Sequence, residues 1–313
     1  MPKCFNLTAS ANWCFRSSFS AAGLRSTITD LGDGTTIHCW VPKKPKSGNP
    51  NLVLIHGFGV DSVWQWSETV KILVPHFNIY VPDLVFFGES YTTRPERSES
   101  FQAQCVKRVM EANSVWKMSL VGMSYGGFVA YSMAAQFKEC VERVVICCAG
   151  VCLEEKDIKN GLFPVNDVDV AAAILLPETA ETMRELLRYA FVKPPKALPS
   201  CLLNDFIDEM CTDFLEERRD LLRAIPKDRK LSDLPKITQP TLIIWGEKDQ
   251  IFPVELAHRL KRHLGENAEL VILEGTGHSF AHEKPKEFHK LLKTFLLASS
   301  CNQKLYPSST VPT

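Results

Sequence analysis

The chain has 313 residues, enough for one large α/β domain with an insertion. Lys+Arg and Asp+Glu both number 36, so the formal net charge is zero, and with no basic stripe nucleic acid is excluded as an expected partner. Apolar residues make up 45%, which supports a sizeable core, and no run approaches the roughly 18 apolar residues of a membrane span.

Taken in chain order, residues 1–25 form an N-terminal extension. It carries no Asp or Glu and is serine-rich. That composition fits a plastid transit peptide or a short amphipathic helix packing Trp13, Phe15 and Phe19 on the body; the helix is preferred. Strands are predicted at 26–29, 36–41, 52–56, 78–82, 118–121, 143–149, 241–245 and 270–273. Helices are predicted at 64–73, 99–112, 124–137, 254–263 and 285–297. This alternation argues a mostly parallel sheet of eight strands flanked by helices. Between 151 and 235 it gives way to helical readings at 168–175, 178–191 and 199–225. The last carries Leu203, Phe206, Ile207, Met210, Phe214, Leu221, Leu222 and Ile225 at helical spacing. We read 151–235 as a helical cap inserted after the sixth strand, with 26–150 and 236–299 as the core and 300–313 as a flexible polar tail.

Four segments carry chemistry. The strand at 52 breaks into His56-Gly57-Phe58-Gly59, where the Phe58 N–H is a candidate oxyanion donor. Gly122-Met123-Ser124-Tyr125-Gly126 stands between a predicted strand and a predicted helix, the context of a nucleophile elbow. There the turn crowds out a Cβ at Gly122 and Gly126, lifts the Ser124 hydroxyl above the sheet and offers the Tyr125 N–H as second donor. Asp249 follows one late strand and His278 follows the next. The order Ser124, Asp249, His278 gives a nucleophile, an acid and a base, with Asp249 fixing the His278 tautomer.

With Pro82-Asp83-Leu84-Val85-Phe86-Phe87-Gly88-Glu89-Ser90 between them, these motifs make the chain similar to the α/β-hydrolase fold family over about residues 27–299. It resembles the capped lipase/esterase-like members, which include monoacylglycerol lipases, carbon–carbon bond hydrolases and the sequence-related epoxide hydrolases. Epoxide hydrolases of this fold need a carboxylate at the elbow, so Ser124 points instead to acyl-serine chemistry. The resemblance implies a serine hydrolase of a small apolar carboxylic ester. The alternatives are a small-molecule hormone receptor of the same fold with very slow turnover, or a carbon–carbon hydrolase or acyltransferase. One departure stands out: Val85-Phe86-Phe87 replaces the usual Pro-Gly and is expected to line the pocket with bulk.

Other residues are read as structural: Asp83 as a loop residue, His56 as a brace for the oxyanion loop, His282 and His289 as surface or packing histidines. The 11 cysteines are scattered and odd in number, which reads as core thiols in a reducing compartment. No metal and no cofactor are expected. Beyond the ester substrate, peripheral membrane contact and a monomer or homodimer are the expected associations, and the expected location is cytoplasmic, with the plastid as alternative.

Overall fold

The computed structural model describes residues 6–195 and 198–298; the expected tail at 300–313 lies outside them. Helix α1 (Leu7–Ala21) leads into β1 (Leu24–Asp30), β2 (Thr35–Pro42), β3 (Asn51–Ile55), α2 (Ser62–Leu73), β4 (Asn78–Pro82), β5 (Tyr91–Thr92), α3 (Glu99–Ala112), β6 (Met118–Met123), α4 (Tyr125–Gln136) and β7 (Val141–Cys147). Five helices follow: α5 (Glu155–Lys159), α6 (Val168–Leu175), α7 (Ala180–Ala190), α8 (Ser200–Met210) and α9 (Leu215–Ala224). Then come β8 (Thr241–Gly246), α10 (Glu255–Leu264), β9 (Ala268–Leu273), α11 (Phe280–Glu283) and α12 (Pro285–Leu297).

The sheet runs β1-β2-β4-β3-β6-β7-β8-β9. The β1–β2 and β2–β4 pairs are antiparallel and the rest are parallel. These eight strands are the expected ones. A ninth, β5, pairs with β2 off this path and is too short to leave a periodic signal. Leu52–Ile55 and Leu242–Trp245 are fully buried, as an apolar strand covered by helices on both faces must be.

Helix α1 exists, but only part of its aromatic set is used. Phe19 is buried against Trp40, with ring centroids 5.3 Å apart, and Phe15 meets Trp64 at 5.0 Å. Trp13 is 70% exposed, so the expectation that it packs on the body is corrected.

The predicted helix at 199–225 is two helices. Phe214 takes left-handed angles (φ 53°, ψ 36°), and the chain restarts as α9 from there. The reason lies in Arg218, which the apolar stripe conceals. Its guanidinium is buried, stacks on Phe87 at 4.6 Å and donates to the Met210 carbonyl at 2.7 Å. It thus closes the C-terminal end of α8 from the next helix and also holds the Phe86 carbonyl, again at 2.7 Å. Ala180 and Met183 of α7 with Leu203, Ile207 and Met210 of α8 form a small core of their own. Leu221, Leu222 and Ile225 join the main core instead.

Candidate active site

Ser124 sits between β6 and α4 at φ 53°, ψ −121°, a strained conformation for a residue with a side chain. Its amide donates to the Cys147 carbonyl and its carbonyl accepts from Gly127, both at 2.8 Å. The flanking glycines are forced. A Cβ at Gly122 would lie 2.2 Å from the Gly126 carbonyl oxygen, and one at Gly126 would lie 2.2 Å from that of Ile55.

Asp249 and His278 meet. His278 Nδ1 lies 2.8 Å from Asp249 Oδ2, while Asp249 Oδ1 accepts from the Ile251 and Phe252 amides at 2.9 Å. Every group facing this carboxylate can donate to it. That orients the ring with Nε2 away from Asp249. Ser124 and His278 line one cavity of about 320 Å³; among the described residues no hydrogen bond joins them. Such bonds are often loose before substrate arrives.

Phe58 and Tyr125 stand side by side, ring centroids 4.8 Å apart. Among the described residues neither main-chain N–H donates to another protein group. Tyr125 N–H is the first of α4, which a helix leaves unpaired by construction. His56 braces the loop that carries Phe58. Its Nδ1 faces the Gly57 carbonyl at 2.7 Å and its Nε2 accepts from the Leu84 amide at 3.0 Å. Burial holds its pKa below the usual histidine value, so it stays neutral in this tautomer.

The His278 loop is also tied to the end of α7. The Ser279 amide donates to the Ala190 carbonyl at 2.8 Å, and Glu283 accepts from both Val192 (2.9 Å) and Gly277 (2.7 Å). The C-terminal end of α7 and the His278 loop are therefore hydrogen-bonded to one another.

Some expectations change. Val85, Phe86 and Phe87 do not line the cavity; they turn into the core, and Phe87 packs on His56 and Phe58. Phe87 also receives the Arg218 guanidinium over its ring. His282 is exposed, as a surface histidine should be, yet it also lines the cavity rim. Its place four residues beyond His278 was the signal available. The apolar wall comes from Leu175 of α6, Met183 and Leu187 of α7 and Phe206 of α8.

Potential ligand atoms of Cys148, Asp249 and His278 lie within 4.8 Å of one another, a cluster that sequence spacing does not reveal. His278 Nδ1 already faces Asp249, and burial drives the Cys148 thiol pKa well above its ordinary value. As a protonated S–H it donates to the His278 carbonyl at 3.3 Å.

A mostly parallel sheet with a strained serine at a strand-to-helix turn and a His–Asp pair just past the ends of its last two strands, β8 and β9, defines an alpha/beta hydrolase fold. The chain belongs to the alpha/beta hydrolase family, whose model matches residues 52–291. It is similar to monoacylglycerol lipase abhd6-B of Xenopus laevis, 30% identical over 278 residues (85% of this chain, 81% of that one). It is likewise similar to the human monoacylglycerol lipase ABHD6, 28% identical over 79% of this chain and 75% of that one. Among solved structures, a bacterial membrane phospholipase A matches at 26% identity with a TM-score of 0.74, covering 93% of this chain and 90% of that one. Carboxylesterase CesB of Bacillus subtilis shares the fold at 18% identity, with a TM-score of 0.67 over 92% and 98% of the two chains.

Proposed function

We propose that this chain is a serine carboxylic ester hydrolase acting on a small, apolar acyl ester, with monoacylglycerol as the substrate class. The observation that carries the reading is that Ser124, the Asp249-oriented His278 and Phe58 line one apolar cavity, with the Tyr125 amide next to Ser124 in the chain. Relatives that are monoacylglycerol lipases support the substrate class.

In this reading His278 Nε2 takes the Ser124 proton as the hydroxyl attacks the ester carbonyl. The Phe58 and Tyr125 N–H groups receive the oxyanion. His278 then protonates the leaving alcohol, and a water activated by the same nitrogen releases the acid. Residues 151–235 serve as the cap, and Met183, Leu187 and Phe206 hold the acyl chain. A neighbouring groove of about 370 Å³ shares these three residues and runs on toward Leu7 and Ala11 of α1. It gives a longer chain somewhere to go.

The nine described cysteines are all free, which supports a reducing compartment. No helix among the described residues is long and apolar enough to cross a membrane.

The test is labelling with a fluorophosphonate, peptide mapping of the adduct, and turnover on esters of graded chain length. An adduct on Ser124 with many turnovers per protein is expected. An adduct with turnover that stalls near one per chain would instead mark a slow-turnover receptor. A folded protein that leaves the probe untouched at Ser124 would defeat the enzyme reading.

A further inference from the structure

We propose that Ser26 is a second activated nucleophile, served by His38 and Asp83, which takes an acyl or phosphonyl group from a small activated donor. The three residues come from β1, β2 and the loop after β4. Ser26 Oγ lies 2.8 Å from His38 Nε2, and His38 Nδ1 lies 2.7 Å from Asp83 Oδ2. His38 and Asp83 are buried, while Ser26 faces solvent. None of the three lines the cavity at Ser124.

The hydrogens follow from the acceptors. Burial works to raise the Asp83 pKa, but the hydrogen bonds it accepts from His38 and Ser62 oppose it, and the carboxyl lies below its usual range. The Ser62 amide, at 2.9 Å from Oδ1, fixes the other oxygen. An ionised carboxylate only accepts, so the hydrogen between the pair sits on His38 Nδ1. In the neutral ring Nε2 is then a lone pair, and the Ser26 hydroxyl must donate to it. A nucleophile bonded to a base that a third group orients is the arrangement that activates serine. A buried imidazole needs two partners, and a buried hydroxyl would satisfy it equally well. Here the partner is a solvent-facing serine.

The strand register adds a donor for developing negative charge. The Asp83 amide donates to the His38 carbonyl and the His38 amide to Ser90 Oγ, so both His38 main-chain groups face away from β1. Pairs alternate in an antiparallel ladder. His38–Ile28 and Trp40–Ser26 are therefore both pairs without ladder bonds. The Ser26 N–H points off the open edge of the sheet, because β1 is its terminal strand. Ile28, two residues on and 59% exposed, lies on the same side of the strand and supplies an apolar surface for an acyl group. The edge has no enclosing walls, which favours small donors with good leaving groups.

In the step, the bond from Ser26 Oγ to the acyl carbon forms and the ester C–O bond breaks. The hydroxyl proton passes to His38 Nε2 and from there to the departing alkoxide, which returns the ring to neutrality. With a fluorophosphonate the P–O bond forms, P–F breaks, and fluoride and the proton leave.

The experiment uses the full chain carrying Ser124→Ala, so that its outcome is independent of the elbow. The chain is exposed to a fluorophosphonate and, separately, to p-nitrophenyl acetate, and adducts are mapped by mass spectrometry. Ser26 is expected to react on the order of 100-fold or more faster than other exposed serines of the same chain, the typical gain from a positioned base. His38→Gln is expected to bring that rate down to theirs. Ser26→Ala in the otherwise intact chain is expected to leave Ser124-dependent hydrolysis unchanged. A folded Ser124→Ala chain in which Ser26 reacts no faster than other exposed serines overturns the proposal. So does full-rate labelling in folded His38→Gln. Should His38→Gln fail to fold, the rate comparison within the Ser124→Ala chain decides alone.

Discussion

Asp249 and His278 are separated by 29 positions in sequence and by 2.8 Å in space, and the Asp249 oxygen not facing His278 is clamped by the Ile251 and Phe252 amides. The acid is therefore fixed from both ends. Asp249→Asn should lower kcat by roughly 10⁴ with the fold intact, because an amide presents a donor where the ring needs an acceptor. Steady-state kinetics beside a thermal melt checks this. Near-normal kcat in folded Asp249→Asn would remove Asp249 from the triad.

Ser124→Ala and His278→Ala should each lower kcat by roughly 10⁴ to 10⁶, and the double variant should be little worse than either, because the pair acts as a unit. Losses that multiply would show that the two residues work separately.

Asp61 lets the pH dependence of stability be tested. Burial and the Asp83 charge push its pKa from 3.8 up to about 7. The folded state thus holds a proton that the unfolded chain releases at lower pH. Stability from this residue is lost as pH climbs from about 4 to about 7. Asp61→Asn removes the penalty and keeps a side chain able to cap α2 at the Trp64 amide. Its melting temperature should match the parent near pH 4 and exceed it at pH 8. An equal difference at both values would show that Asp61 is not the titrating group.

Phe206 stands between the cavity and the groove beside α1 and stacks edge-on against Trp64 at 5.4 Å. Phe206→Ala should join the two spaces. The ratio of kcat/KM for long-chain over short-chain esters should rise, by about tenfold for roughly 1.4 kcal/mol of added acyl burial. A ratio that does not move would place the acyl chain elsewhere.

Arg218→Met should destabilise the protein by about 2–4 kcal/mol, since it strands the Phe86 and Met210 carbonyls. Arg218→Lys should rescue little, because one ammonium cannot reproduce the forked donor that reaches both. Denaturant midpoints measure both changes.

How much of this was legible follows from what each feature needs. The elbow was readable because crowding at Gly122 and Gly126 acts over four residues. The strands at 52, 241 and 268 were readable because apolar runs between turn residues leave little else to form. The break at Phe214 was hidden, since Leu203 to Ile225 keeps an almost unbroken apolar period, and what divides it is a buried arginine that hydropathy scores as surface. The inward turn of Phe86 and Phe87 was misread for the same reason: its partner Arg218 lies 131 positions beyond Phe87. His38 raised no signal, because its partners Ser26 and Asp83 come together only through strand pairing.

The hydrogen bonds from the His278 loop to the end of α7 make admission and chemistry compete. If the proposed mechanism holds, any motion that lifts residues 151–235 by the α7 end pulls on Ser279 and Glu283, and with them on the ring proposed to take the Ser124 proton. In that reading an open enzyme would be an idle one. Productive entry then leaves α7 seated, and the groove beside α1, parted from the cavity by Phe206, is where a small side-chain motion would open such a path.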